Sequence, residues 1–117
     1  ISFGTQGTLG AIVDSTGSVD VTCPDEVAYS IAVDAGGGSG ATVTTRKMTG
    51  PEDATIDYTL YQSSEHSTVW GDESGVNRKT ATGSGIAQTH TIYGRVPVQT
   101  TPATGTYSDT VTIIVHY

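Results

Sequence analysis

Basic residues are scarce. Five Lys and Arg stand against twelve Asp and Glu, a formal charge of −7. A nucleic-acid surface relies on clustered cations that displace condensed counterions, and no such cluster occurs here. The same deficit sets the chain against an anionic membrane surface, while net acidity favours solubility. Long apolar runs are missing too. Nothing approaches the roughly 18 apolar residues of a bilayer-spanning helix, so no membrane span is expected. No run of apolar residues keeps helical spacing, which argues against an α or α/β fold. The chain opens on Ile1 rather than Met, so the lack of a signal peptide says nothing about location. Cysteine is limited to Cys23. It reads either as a small buried hydrophobe or as half of a disulfide whose partner lies upstream of Ile1. Its neighbours Pro24, Asp25 and Glu26 disfavour a thiolate nucleophile, since acidic surroundings raise a thiol pKa.

What the chain does have is Thr, Val and Gly, the residues of strands and turns. Its 117 residues suffice for one domain, 1–117, with a single core. Strand-like alternation recurs between turn signals. "SVDVTC" (18–23) sets Val19, Val21 and Cys23 on one face. "VAYSIAVDA" (27–35) alternates Val27, Tyr29, Ile31 and Val33 with smaller residues. "GGGSGAT" (36–42) reads as a mobile hairpin tip. Strands are expected at 42–48, 54–61, 67–71, 86–96 and 107–117, with "KTATGSG" (79–85) as loop. About seven short strands at this spacing predict an all-β, two-sheet sandwich rather than a barrel.

Signals for chemistry are weak. His66, His90 and His116 are too widely spaced for a zinc site, which favours a close ligand pair. His90 and His116 fall at solvent-facing or edge parity. "GDESG" (71–75) lacks the alternating oxygen ligands of a calcium loop. No nucleophile elbow and no phosphate-cradling loop occur. Asp57, Asp72 and Glu73 are the only plausible paired acids for glycoside cleavage, and nothing marks them. No metal, cofactor or enzymatic activity is expected. Tyr58, Tyr61, Trp70 and Tyr93 are candidates for a sugar-stacking platform, although core is the expected fate of Tyr58 and Trp70.

The carboxy-terminal stretch "YSDTVTIIVHY" (107–117) is the most distinctive. Tyr107, Val111, Ile113, Val115 and Tyr117 share one parity, interrupted by Asp109. Edge strands are normally blunted by Lys, Pro or a bulge. This strand carries none of these, which makes it a template for strand addition by another chain.

Here the chain resembles a known family. "TIYGRVPVQTTPATGTYSDTVTIIVHY" is similar to the carboxy-terminal signature of the spore coat protein U domain, the pilin domain of archaic chaperone–usher pili. The residues that carry the likeness are Tyr93, Gly94, Arg95, Val96 and Pro97, then Pro102, Ala103 and Gly105, then Tyr107, Asp109, Thr110 and Val111, ending at Tyr117. "ISFGTQ", "GSVDVTC", "RKMTG" and "IDYTLYQSSEHSTVWGD" are similar to further family segments in the same order. The resemblance implies an immunoglobulin-like sandwich lacking its last strand and completed by an amino-terminal donor segment of a neighbouring subunit. It implies a periplasmic chaperone and an outer-membrane usher as assembly partners, and a cell-surface pilus reached through the periplasm and serving adhesion and biofilm growth. It also implies a disulfide from Cys23 to a cysteine ahead of Ile1. Val111, Ile113, Val115 and Tyr117 are then expected as groove wall, with Val19 and Val21 on the facing strand. A donor of about ten residues would insert about five side chains. At roughly 1.5–3 kcal/mol each, that is on the order of 8–15 kcal/mol gross, comparable to a domain's whole stability of about 5–15 kcal/mol. The competing expectation is a carbohydrate-binding adhesin or tip sandwich that uses the aromatics.

Overall fold

The computed structural model describes residues 3–4 and 9–117. Among them run seven strands: β1 (Val13–Thr22), β2 (Ala28–Val33), β3 (Arg46–Thr49), β4 (Thr55–Tyr61), β5 (Lys79–Thr82), β6 (Ala87–Val96) and β7 (Ile113–His116). A 3-10 turn, Pro51–Asp53, links β3 to β4. The strands form two sheets, ordered β1-β6-β4-β3 and β5-β2-β7, and every pairing is antiparallel. The fold is the expected all-β sandwich.

Alternation decides which side chains enter the core. On β6, His90, Ile92, Gly94 and Val96 are buried while their odd-numbered neighbours are half-buried or exposed. β6 pairs with β1 over ten positions, from Val13↔Val96 to Thr22↔Ala87, so β1 inherits the complementary phase and buries Val21. β4 contributes Tyr58 and Leu60, and β2 contributes Tyr29, Ile31 and Val33. Trp70 is fully shielded and joins the sheets: its indole N–H donates to Ile31 O of β2 at 2.9 Å, and its backbone N–H donates to Leu60 O of β4 at 2.9 Å.

Local expectations are corrected: β1 begins at Val13, five residues ahead of the expected 18–23, and the expected 42–48 strand is reduced to Arg46–Thr49. The 67–71 stretch is no strand: Val69 makes one isolated bridge to Tyr61, and the chain then dives so that Trp70 enters the core. Residues 79–82, expected as loop, form β5 and pair with β2 from Ile31↔Lys79 to Ala28↔Thr82. Their side chains are small or polar, so the backbone ladder carries most of the strand, with Ala81 against the core and the Lys79 ammonium over the Trp70 ring. Only Ile113–His116 of the expected 107–117 strand is strand, paired to β2. Ahead of it, Ser108 bridges to Thr49 at the edge of β3, so residues 108–113 cross from one sheet to the other. The glycine-rich segment after β2 is not a free hairpin tip. It also crosses between sheets, and Gly37 N–H is tied to Asp109 Oδ1 at 2.9 Å.

At this crossing Arg46 is wholly buried, with 0% exposure. Its guanidinium donates to four carbonyls: Asp34 O at 2.9 Å, Val43 O at 2.8 Å, Val33 O at 3.1 Å and Trp70 O at 2.7 Å. A buried charge is tolerated only when its donors are satisfied. A lysine has three donors on a point charge and lacks the planar fork. Arg46→Lys is therefore expected to cost about 3 kcal/mol or more, through carbonyls left unpaired at about 1–3 kcal/mol each. Urea unfolding of the variant against wild type measures this, and a loss below 1 kcal/mol would contradict the account.

A second polar contact spans the sheets. His90 faces inward, contrary to its expected solvent-facing parity, because the inward phase of β6 falls on even-numbered residues. Its Nε2 lies 2.7 Å from Tyr29 Oη, and that hydroxyl donates to Gln88 Oε1 at 2.5 Å. Burial, then the charge of Lys79, pulls the His90 pKa below its ordinary 6.5. Tyr29, with Cys23 nearby, is pushed up, first by burial. Protonation of His90 therefore favours the unfolded chain. Stability is full above about pH 6.5 and declines as pH falls below it towards the folded-state value. Thermal midpoints should fall between about pH 7.5 and pH 5.5, and His90→Gln should flatten that slope. Equal slopes for the two proteins would contradict the assignment.

Candidate functional site

Among the described residues each open sheet ends on two strands that have a single strand neighbour, β1 and β3 in one sheet and β5 and β7 in the other. Among the described residues β7 has β2 on one side and no strand on the other, and β1 has β6 on one side only. Strand edges present rows of free N–H and C=O groups that template pairing. The outward side of β7 carries Ile114, 48% exposed, and no Lys or Pro.

Beside the start of β7 lies a cavity of about 900 Å³. Its floor is the inner face of the four-stranded sheet. Met48 of β3, Ile56, Tyr58 and Leu60 of β4, Val13 of β1 and Val96 of β6 line it. One wall is the 101–111 segment, which contributes Tyr107, Asp109 and Val111. Phe3 and Leu9 enter from the amino-terminal side. The Phe3 ring meets Tyr58 edge-on, with centroids 6.3 Å apart, and Leu9 is only 5% exposed. Leu9 is bonded on both sides, its N–H to Thr101 Oγ1 and its carbonyl to Gln99 N–H. A sandwich with a full complement of strands fills such a space with its own side chains.

The expected groove residues are distributed as follows. Val111 lines the cavity. Ile113 and Val115 are half-buried on the inward face of β7 and pack against the core. Tyr117 is 85% exposed and borders a shallow cleft with Arg78 and His116 on the outside of the three-stranded sheet. Val21 is buried and Val19 half-buried, both on the core face of β1. The β1 residue that lines the cavity is Val13. Met48, Ile56, Leu60 and Val96 also line it, although the sequence marks none of them as groove residues. Their signal is the inward phase of β3, β4 and β6, which core packing alone already explains.

Cys23 is buried, with no disulfide partner among the described residues. Of the aromatics, Tyr58 and Trp70 are in the core as expected. Tyr61 and Tyr93 sit opposite each other across β4 and β6, and His66 lies edge-on to both at 5.3 and 6.3 Å. Beside them Arg95 makes a two-point contact with Asp14 at 2.7 and 3.0 Å. The bond and charge of Arg95 outweigh burial and hold the Asp14 carboxyl below the usual range. Asp57 is paired with Lys47 at 2.6 Å on the β3–β4 hairpin. Asp72 and Glu73 lie in an exposed turn where Arg78 bonds the Asp72 carbonyl. Among the described residues no group of three or more His, Cys, Asp or Glu is placed to hold a metal ion, and no helix is long and apolar enough to cross a membrane.

The fold and its open flank describe an immunoglobulin-like sandwich that is short of a strand. The Spore Coat Protein U domain model matches residues 1–114, and the chain belongs to that family. A similar fold occurs in a chain of the crystal structure of the CsuC–CsuE chaperone–tip adhesion subunit pre-assembly complex from archaic chaperone–usher Csu pili of Acinetobacter baumannii, with a TM-score of 0.69 and 24% identity. The alignment covers 100% of this chain and 36% of that one, so this chain spans about a third of its length. No curated protein sequence matches the chain.

Proposed function

We propose that the chain is a structural pilin subunit of an archaic chaperone–usher pilus, completed by a β-segment of a neighbouring copy. The observation that carries this reading is the combination of a one-sided β7 with an apolar cavity of about 900 Å³ beside it. Family membership and the Csu-like fold support it. An alternating β-segment laid along β7 satisfies the free backbone edge and sends every second side chain inward. Val111, Ile113 and Val115 would meet it from the wall side. Of the other expected groove residues, Tyr117 borders the outer cleft and Val19 and Val21 pack in the core, so the wall is assigned to Val111, Ile113 and Val115. The donor segment lies ahead of Ile1 in the full-length protein, together with a cysteine that pairs with Cys23. A periplasmic chaperone holds the groove before assembly, and an outer-membrane usher orders the polymer. The role is mechanical, surface attachment and biofilm growth through a cell-surface fibre, and involves no catalysis.

The test is thermal unfolding of the chain with a synthetic peptide copying the residues encoded immediately ahead of Ile1. At a peptide concentration about a hundred times Kd, linkage contributes about 2.7 kcal/mol, which in a domain of this size raises the midpoint by roughly 10 °C. Val111→Asp, which sets a second carboxylate into the apolar cavity, should abolish the rise while leaving the bare chain folded. An unchanged midpoint, with the β7 edge amides already protected from exchange, would overturn the proposal.

A further inference from the structure

Among the described residues that line the cavity, Asp109 is the only one with a charged side chain. It sits inside the Tyr-x-Asp-Thr-Val stretch, which the groove reading uses only for its apolar members. A carboxylate at the mouth of a groove built for apolar side chains calls for a reason, because covering an unpaired charge is expensive.

The carboxylate is fully engaged. Oδ1 accepts from Gly37 N–H and from Thr110 N–H, each at 2.9 Å. Oδ2 accepts from the Tyr58 hydroxyl at 2.5 Å. Burial, then the bond and charge of Asp109, pushes the Tyr58 phenol upward, so it stays protonated as donor. The approach is close enough that a Cβ at Gly36, whose φ is +80°, would collide with the carboxylate. The neighbouring charged groups are Arg46 and Asp34. Three residues on, Asp34 Oδ1 accepts from Thr112 N–H at 2.9 Å, and Asp34 N–H donates to Thr112 O at 3.1 Å. Ser108 and Thr49 exchange two backbone bonds, at 2.9 and 3.1 Å. The crossing segment is thus held by separate ties at Ser108, Asp109 and Thr112, because it belongs to neither ladder until Ile113.

We propose that Asp109 is the positioning residue of the groove: it pins residues 108–112 as the wall against which the partner's β-segment packs, and its three donors let it be covered by that segment without an unpaired charge. This rests on the donor-segment reading above. Tyr58 ties the wall to the cavity floor and Gly37 ties it to the crossing loop, so the carboxylate joins wall, floor and loop between the flanking ties at Ser108 and Thr112. Removing it frees the wall locally and leaves the Arg46 and Trp70 contacts between the sheets in place.

Two measurements on Asp109→Ala and Asp109→Asn test this. In hydrogen exchange on the bare chain, the amides of Gly37 and Thr110, which lose their acceptor, and of Ser108 beside them should exchange at least about tenfold faster in Asp109→Ala, the weight of one or two charge-assisted bonds. The β4–β6 ladder amides should be unchanged. Asp109→Asn, which keeps an acceptor for Gly37 and a polar partner for Tyr58, should stay near wild type. The synthetic peptide used above should dissociate at least about tenfold faster from Asp109→Ala and near the wild-type rate from Asp109→Asn. Unchanged exchange at the three amides, or equal acceleration of every amide, overturns the pinning role. Accelerated exchange with an unaltered peptide off-rate overturns the role in the groove. Failure of the wild type to take up the peptide overturns the donor-segment reading instead, while the exchange comparison still decides whether Asp109 pins the wall.

Discussion

A guanidinium with no access to water governs this sandwich. Arg46 belongs to β3 in one sheet, but three of its four acceptors lie elsewhere: the end of β2 in the other sheet supplies two, and the core residue Trp70 supplies a third. The desolvation cost of a buried cation is several kcal/mol unless its donors are met, so these segments must converge on it. Burial draws its pKa down, and Tyr58 and the nearby acids Asp34, Asp109 and Asp72 oppose that. The sequence from 34 to 45 has to fold back over β3 for the same reason, since Val43 O is the fourth acceptor. Spacing between the sheets at this end is thereby set by polar geometry rather than by side-chain volume.

That anchored end explains how the flank beside it stays open. A small domain with a deficient core would ordinarily collapse its sheets onto one another to exclude water. Here Arg46 and Trp70 hold the sheets apart, and the segment from Ser108 to Thr112 stands off as a wall. The Asp34 carboxyl beside that wall is pushed up by burial and pulled further down by the Thr112 and Gly36 bonds and the Arg46 charge, ending below its usual range. Membership of the Spore Coat Protein U domain family gives the opening a purpose. On the proposed function, a groove held open in this way would be ready for a β-segment supplied by a neighbouring copy.

Much of the architecture was legible from alternation. β2 and β4 carry large apolar residues at every second position and, with β6, lie where the pattern expects them, whereas β1 begins at Val13 rather than at 18 because Ser15 and Gly17 interrupt its apolar face. β5 was not legible because Lys79, Thr80, Ala81 and Thr82 show no such pattern; a backbone ladder needs no particular side chain. The last strand was overestimated for the opposite reason. Its alternation continues through Tyr107, Asp109 and Val111, although the backbone there has left one ladder and not yet joined the other. His90 was misassigned to the surface because a polar residue in an alternating strand is ordinarily outward, and only its pairing with Tyr29 makes the inward phase tolerable. Within the cavity, Val111 was legible from the end of the chain. Val13 and Val96 were not, because nothing local distinguishes an inward valine facing a cavity from one facing a packed core.

Trp70 has a practical corollary. It is the only tryptophan, is entirely shielded, and has the Lys79 ammonium 5.3 Å from its ring centroid. Its indole is bonded to one layer and its own amide to the other, so its emission is a built-in gauge of whether the two layers are still joined. Since it does not line the cavity, that optical signal reports on the junction of the two layers and not on the state of the cavity.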